Sequence, residues 1–311
     1  MEKKADCLIV TYNRLDLLKE CIQAVLCQKI IPNNIIVVNN NSTDSTSEYL
    51  NKLLKKVPNL KVLNLNKNLG GAGGFNAGFK YFIQHSSSDY LWLMDDDAIP
   101  NNLTLKNLLS ATDLLEDFGF LASDVRWTNN EPAKMNVPNI TKDWNKKINL
   151  GLVKIKSASF VSLLIPRKVI EKVGYPIKDF FIWGDDMEYT TRIVKANYEA
   201  FLVINSQIMH KIYKNIPPDI IKETKPDRIK RYYYESRNVT YIYKKYHGFK
   251  GLCRELARYS YISLRLIFSN SKFKSRKLKY LIKGTIVGVG FNPKVEMVKK
   301  KQVDNLSVID N

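Results

Sequence analysis

The sequence predicts an α/β fold in which a mostly parallel sheet is flanked by helices. Three observations favour this fold class. Short apolar runs alternate with segments of helical periodicity over the first 95 residues. Polar or glycine-rich residues follow these runs, and beyond Pro217 the chain becomes rich in Tyr, Lys and Arg with helical spacing. Strands that alternate with helices form parallel sheets covered on both faces.

The first part of the chain contains four predicted strands, and a predicted helix follows each of the first three. The predicted strands are residues 6–12, 35–40, 60–65 and 89–94, and the predicted helices are 14–28, 45–56 and one that follows a glycine-rich turn at 66–78. Residues 41–44 supply turn and N-cap chemistry before the second helix. Ligands of parallel sheets bind beyond the carboxyl ends of the strands, where these polar segments fall.

Later elements are less regular. We expect strands and loops over residues 120–165, including a strand at 157–165, and a short helix from Pro166 to Val173. A loop then opens into a helix within 180–197, and a late strand over 200–211 ends at His210. We therefore predict a sheet-containing domain over residues 1–212 and a basic, amphipathic helical region over 213–311.

The charge of the chain is concentrated in that second region. The net charge is +19, and residues 211–311 hold 24 Lys and Arg against 8 Asp and Glu. Such a segment suits nucleic acid or an anionic membrane surface. No helix-turn-helix, zinc-finger or RRM pattern is present, and the carboxylate clusters described below would repel phosphate, so we do not expect a nucleic-acid partner. The other alternative to a membrane surface is a solvated helical cap.

The sequence also bears on compartment. The N-terminus lacks the long apolar core and cleavage site of a signal peptide, and no uninterrupted apolar stretch is long enough for a spanning helix. We therefore expect a cytoplasmic protein that is associated peripherally with the inner face of the plasma membrane.

The strongest chemical signal is Asp95-Asp96-Asp97 at the end of an apolar strand. Asp95 and Asp97 would point to the same side of a strand and could share one divalent ion. A solvated acidic turn is the alternative. His210 ends the late strand, and an imidazole that joins two carboxylates suits Mn²⁺.

A second signal is the pair Asp185-Asp186, which emerges from the aromatic run Phe181–Gly184. Apolar surroundings disfavour the charged carboxylate, so one member could act as a general base. The alternative is a helix N-terminus where acids complement the dipole. Glu188 and Arg192 are four residues apart and predict an ordinary helix-face pair.

Taken together, these segments resemble the family 2 glycosyltransferases, which have the Rossmann-like GT-A fold, over about residues 5–212. Val10–Arg14 resembles the strand end that holds the nucleotide, and Val37–Asp44 resembles VDNGSTD with Asn39 in place of Asp. Asn68–Gly78 resembles the family's NxGxxxARNxG motif, with Phe75 in place of Arg. Asp95–Asp97 resembles the DxD motif, and Gly184–Asp186 resembles the catalytic-base region. The residues found in these motifs are most similar to those of bacterial galactofuranosyltransferases, and related rhamnosyltransferases share much of the pattern.

The resemblance implies UDP-galactofuranose as the donor and transfer with inversion, in the synthesis of a cell-surface polysaccharide. It implies Mn²⁺ or Mg²⁺ held by Asp95, Asp97 and His210, with Asp185 as the base and Asp186 as its rival. Trp183 would line the acceptor site. The residues expected to bind the nucleotide-sugar are Thr11, Tyr12, Asn13, Arg14, Asn39, Asn40, Asn68, Gly70, Gly71, Asn76, Asp95 and Asp96.

Three points stay open in this interpretation. The donor could be dTDP-rhamnose, and a non-catalytic scaffold that binds nucleotide-sugars would share the fold. The expected acceptor is a lipid-linked glycan, which suits a protein at an anionic membrane surface. An oligomer is compatible with the sequence.

Overall fold

The computed structural model describes residues 3–299 as a ten-stranded mixed sheet with helices on both faces and a helical region after it. The strands are β1 (Ala5–Thr11), β2 (Ile35–Asn39), β3 (Leu60–Asn64), β4 (Tyr90–Asp95), β5 (Ala98–Pro100), β6 (Phe120–Arg126), β7 (Asn139–Ile140), β8 (Leu152–Ser157), β9 (Leu163–Pro166) and β10 (Ala200–His210). The helices are α1 (Leu15–Leu26), α2 (Thr46–Leu54), α3 (Gly70–His85), α4 (Thr104–Ala111), α5 (Arg167–Val173), α6 (Asp185–Lys195), α7 (Pro226–Phe268) and α8 (Lys274–Gly290). Single 3₁₀ turns lie at Thr112–Leu114, Ile148–Leu150 and Lys178–Phe180.

The strand order is β3-β2-β1-β4-β9-β6-β10-β8-β7, and β5 also pairs with β10. Strands β3, β2, β1 and β4 are parallel to one another, as predicted. Strand β9 is antiparallel to both β4 and β6, and β10 is parallel to β6. Strands β1, β2, β4 and β10 therefore end at the same edge of the sheet. This edge holds the candidate site.

Both faces of the sheet are covered by apolar side chains. On one face, Ile9 of β1 packs in a buried cluster with Leu18 of α1. On the other, Leu8 packs in a cluster with Phe79 of α3. Because successive residues of a strand point to opposite faces, a fully apolar strand such as β1 requires this double cover. The predicted fold class is confirmed, and the second half of the sheet adds antiparallel strands to it.

Two local predictions differ from the structure. The glycine-rich segment predicted as a turn is helical from Gly70 onward. A Cβ on Gly74 would lie 2.4 Å from Cγ1 of Val10, so glycine here allows α3 to pack closely on β1. The predicted strand 157–165 is instead the end of β8, a connection, and the start of β9.

The C-terminal region is a bundle of helices. Helix α7 is interrupted at Gly248, whose φ of +62° lies outside the helical region. The chain reverses there, because Tyr259 after the break donates to Glu235 before it at 3.3 Å. Helix α8 packs along the first half of α7, where the Ser236 hydroxyl donates to the Leu281 carbonyl at 3.2 Å. Within residues 3–299, no helix combines the length and the apolar character that crossing a membrane requires.

Candidate active site

The predicted metal ligands lie together. Asp95 ends β4, Asp97 follows it in a turn, and the short strand β5 pairs with the end of β10 so that Ala98 is opposite His210. One ligand atom from each of Asp95, Asp97 and His210 lies within 4.8 Å of the other two. His210 Nε2 and Asp97 Oδ1 are 3.1 Å apart. We call Asp95, Asp97 and His210 the acid–imidazole trio.

The surroundings of the trio suit a cation. His210 Nδ1 is 2.8 Å from Asn136 Oδ1, an oxygen that can only accept, so Nδ1 is the donor and Nε2 faces Asp97. Nε2 can donate to Asp97 or, when it carries no proton, can coordinate a metal ion beside it. Among residues 3–299, no group donates a hydrogen bond to the Asp95 carboxylate. Two carboxylate oxygens and an imidazole nitrogen are a donor set that Mn²⁺ or Mg²⁺ accepts.

The three acidic residues differ in their electrostatics. Burial raises the pKa of Asp95, and the charges of Asp97 and Asp96 raise it further. Burial also acts to raise the pKa of Asp97, but the hydrogen bond and charge of His210, with Arg14, outweigh it and lower the pKa to about 2. Asp97 is therefore charged in the folded protein, as a metal ligand must be.

Two residues of the first strand end contact the acidic cluster. Arg14 donates to Asp97 at 2.6 Å and to Asp96 at 3.2 Å, and Thr11 donates to Asp96 at 2.8 Å. Burial raises the pKa of Asp96 to about 6, against the opposing charge of Arg14. The contacts connect β1 to the end of β4 across the site.

The asparagines expected at the nucleotide hold the loops of this edge. Asn40 donates to the Gly70 carbonyl at 2.9 Å and accepts from the Leu69 backbone at 2.9 Å. Asn68 accepts from the Gly70 backbone at 2.8 Å. The Asn13 side chain accepts a hydrogen bond from the Thr43 backbone at the same edge. The Asn39 side chain donates to Ser47 and Asn64 and accepts from the Ser42 backbone. Tyr12 is exposed beside them. The structure thus brings together all of these residues, and their part in nucleotide binding stays a prediction.

The glycine-rich segment contacts the loop that precedes the catalytic candidates. Gly70 has a φ of +71°, and a Cβ there would lie 1.9 Å from the Phe181 carbonyl oxygen. Ala72 donates its backbone N–H to the same oxygen at 3.1 Å, whereas Gly71 has open space around it. Asn76 lies further along α3, buried, and donates to the Pro176 carbonyl at 2.7 Å. It supports the segment before the loop and does not face the open edge.

Residues 180–184, which we call the catalytic loop, have an unusual backbone. Phe181 and Trp183 have φ values of +64° and +62°, and Gly184 has +88°. A positive φ in a bulky residue costs about 1–3 kcal/mol and persists only where the surroundings impose it. The strained loop places Asp185 at the first position of α6.

Asp185 and Asp186 have the electrostatics of an acid–base pair. Burial, followed by the charge of Asp186, raises the pKa of Asp185 to about 8. Burial also raises the pKa of Asp186, whose carboxylate accepts from the Met187 backbone at 2.7 Å. Both residues do lie in the first turn of a helix, but dipole complementation alone would lower their pKa values. The raised pKa distinguishes Asp185 from an ordinary capping acid.

The catalytic loop is held by helix α7, which motif reasoning did not identify. Asn238 is fully buried, and its side-chain nitrogen lies 3.0, 3.2 and 2.7 Å from the carbonyl oxygens of Phe180, Ile182 and Trp183. Arg237 donates to the carbonyls of Asp179 at 2.7 Å and of Phe180 at 3.1 Å. The only local signal for this role is an asparagine within an aromatic, helical stretch.

Further contacts join α7 to α6 and to the loop. Glu188 pairs with Arg192 at 2.9 Å, as predicted, and also accepts from Tyr246 of α7 at 2.7 Å. The ring of Trp183 meets that of Tyr232 edge-on, with centroids 5.1 Å apart. These contacts make the helical bundle one wall of the site.

Comparisons with known proteins agree with this geometry. The family described as "Glycosyl transferase family 2" matches residues 6–173. Galactofuranosyltransferase GlfT1 of Mycolicibacterium smegmatis is 25% identical over 274 residues, which cover 82% of this chain and 88% of that protein. GlfT1 of Mycobacterium tuberculosis H37Rv is 22% identical over 289 residues, which cover 85% and 90%.

Solved structures show the same fold. A crystal structure of GalNAc-T7 with UDP, GalNAc and Mn²⁺ has a TM-score of 0.62 at 13% identity, over 90% of this chain and 55% of that one. Staphylococcus aureus TarS 1–349 in complex with UDP-GlcNAc has a TM-score of 0.59 at 16% identity, over 92% and 81%. These likenesses establish a GT-A-like fold for the described residues.

Proposed function

Because the chain belongs to glycosyltransferase family 2, we propose that it is an inverting, divalent-metal-dependent galactofuranosyltransferase that uses UDP-galactofuranose. The observation that carries this proposal is the acid–imidazole trio at the same sheet edge as a second, buried carboxyl group with a raised pKa. The galactofuranose donor is supported by the GlfT1 relatives, which match over most of both chains.

In this mechanism Asp185 is the base. It takes the proton of an acceptor hydroxyl, whose oxygen attacks the anomeric carbon from the face opposite the nucleotide, and the configuration inverts. A pKa of about 8 places the carboxylate close to working pH, where proton transfer is efficient. A bound Mn²⁺ or Mg²⁺ would stabilise the charge that develops on the nucleoside diphosphate. A double displacement would need a separate nucleophile.

The test is a donor panel with Mn²⁺ that measures release of UDP or dTDP from UDP-galactofuranose, UDP-galactose and dTDP-rhamnose. We expect release from UDP-galactofuranose, and we expect Asp185→Asn to abolish it without a change in the circular dichroism spectrum. Release from dTDP-rhamnose alone would identify a rhamnosyltransferase. Nucleotide binding without release from any donor would identify a scaffold.

We further propose that the acceptor is a lipid-linked glycan that the protein meets at an anionic, cytoplasmic membrane face. Apolar side chains are exposed along two helices of the bundle at helical spacing. They are Tyr261, Leu264 and Phe268 on α7 and Ile282, Ile286 and Val289 on α8. Phe268 is 85% exposed and Phe273 is 48% exposed at the tip between these helices.

Charge on the same helices supports an anionic surface. Between Glu255 and Glu296 the sequence has nine Lys and Arg and no Asp or Glu. Each basic residue near an anionic bilayer contributes about 1 kcal/mol, and exposed aromatic rings insert at the headgroup boundary. A solvated cap would not need apolar residues on its outer face.

Flotation of the full chain with vesicles tests the membrane proposal. We expect binding to vesicles that contain phosphatidylglycerol and little binding to pure phosphatidylcholine. The double variant Phe268→Ser/Phe273→Ser should lose binding. Phe249→Ser is the matched control, because Phe249 is 80% exposed but lies beside the Gly248 reversal, at the other end of the bundle. Equal flotation of all three proteins would contradict the proposed surface.

A further inference from the structure

Arg231 of helix α7 lies on the helical face that covers the catalytic loop. Residues 231, 234 and 238 follow the spacing that places side chains on one side of a helix. Tyr234 stacks on Phe181 of the loop, with ring centroids 4.8 Å apart, and Asn238 binds the loop carbonyls. Arg231 is therefore directed to the same side of α7 as these two contacts, one turn before Tyr234.

Unlike its neighbours, Arg231 has no partner among residues 3–299. No carboxylate there lies within ion-pair distance of it, and no carbonyl accepts a hydrogen bond from it. Arg228 pairs with Glu223 at 3.0 Å, and Arg237 donates to loop carbonyls. Arg231 is also half-buried, so water replaces these partners only in part.

Other cations act on the same guanidinium. Burial lowers the pKa of Arg231, and the positive charges of Arg14 and then Arg228 lower it further, against the smaller opposing effect of the Glu223 and Asp227 charges. Arg14 lies at the site edge, where it contacts Asp96 and Asp97. A half-buried cation without a partner, within the field of a second cation at the site, is a place where an anion would be stabilised.

We propose that Arg231 binds the diphosphate of the nucleotide-sugar donor. This inference rests on the proposed function, since it assumes that a nucleoside diphosphate occupies this edge. When the bond from the anomeric carbon to the phosphate oxygen breaks, its electron pair stays on that oxygen, and the diphosphate gains one negative charge. A guanidinium can donate two parallel hydrogen bonds to phosphate oxygens, so it stabilises the departing group.

Calorimetric titration with UDP and Mn²⁺ tests this role. We expect Arg231→Gln to weaken UDP binding at least 10-fold and Arg231→Lys to retain part of the affinity. The loss should be larger for UDP than for UMP, which lacks the second phosphate. Lys230→Gln is the matched control, because it removes the same charge from an exposed neighbour on the same helix, and it should bind UDP as the unmodified protein does.

The outcomes separate this inference from the function on which it rests. If Arg231→Gln binds UDP like the unmodified protein, the inference is wrong. It is also wrong if the only effect of this substitution is a higher KM for a lipid-linked acceptor. An equal loss for UDP and UMP would also contradict it, because a general disturbance of the site would produce that result. If the unmodified protein binds neither UDP nor dTDP, the proposed function itself fails. Should Arg231→Gln not fold, Arg231→Lys, with its smaller change, gives the same comparison of UDP with UMP.

Discussion

Replacement of Asn238 by Ala should both destabilise the protein and reduce its turnover. The side-chain nitrogen of Asn238 has two hydrogens and lies within 3.2 Å of three carbonyl oxygens. The carbonyl oxygens of Ile182 and Trp183 therefore lose a donor, whereas that of Phe180 keeps the donor Arg237. An orphaned buried acceptor costs about 1–3 kcal/mol, and because these two oxygens are only part-buried we expect the free energy of unfolding to fall by about 1–3 kcal/mol in total.

The turnover should fall because the same bonds hold a strained backbone. Without them, Phe181 and Trp183 can relax from positive φ, and Asp185 then moves at the start of α6. The expected result is a kcat at least 10-fold lower, while the affinity for UDP, measured by calorimetry, changes less.

Urea denaturation at fixed pH, together with initial rates at saturating donor, measures both effects. Asn145→Ala is the control, since Asn145 is exposed and its substitution should change neither quantity. An Asn238→Ala protein with unchanged stability and unchanged kcat would refute the assignment of this residue as the support of the catalytic loop.

Three more perturbations test other parts of the site. If Asp185 is the base, kcat/KM should be high above its pKa of about 8 and should fall as the pH drops through that value. A kcat/KM that declines only below pH about 5 would indicate a different group. Gly70→Ala should lower both stability and turnover, because its Cβ would lie 1.9 Å from a main-chain oxygen of the catalytic loop, whereas Gly71→Ala, with open space around it, should leave stability unchanged. Asn136→Ala removes the acceptor that orients His210, so the affinity for Mn²⁺, followed by electron paramagnetic resonance, should fall about 10–100-fold, and an unchanged affinity would exclude His210 as an oriented ligand.

The strand ends of the site could be predicted from the sequence because each is a local pattern. A short apolar run that stops at polar residues identifies the end of a strand, and parallel strands bring such ends to one edge. Asp95 and Asp97 follow this rule directly. His210 follows it too, although its strand comes more than 100 residues later, because β10 lies parallel to β6 and ends at the same edge.

The support of the catalytic loop could not be predicted in this way. Asn238 contacts carbonyl oxygens 55 to 58 residues earlier in the chain, and main-chain oxygens have no residue type that a pattern could match. The glycine-rich segment was misinterpreted for a different reason. Glycine is a weak helix former, so local propensity favours a turn. The close approach of Gly74 to Val10 is a tertiary contact that overrides this propensity.

The contacts between helix α7 and the catalytic loop have a consequence for how the side chains of that loop can vary. Asn238 recognises main-chain oxygens of Phe180, Ile182 and Trp183, and these oxygens are the same whatever side chains the loop presents. Aromatic residues of the loop could therefore be exchanged during evolution, or by design, while the carboxylate of Asp185 keeps its place. If Trp183 lines the acceptor site as the sequence predicts, libraries that vary positions 182 and 183 but preserve Asn238 should yield proteins with new acceptor specificities.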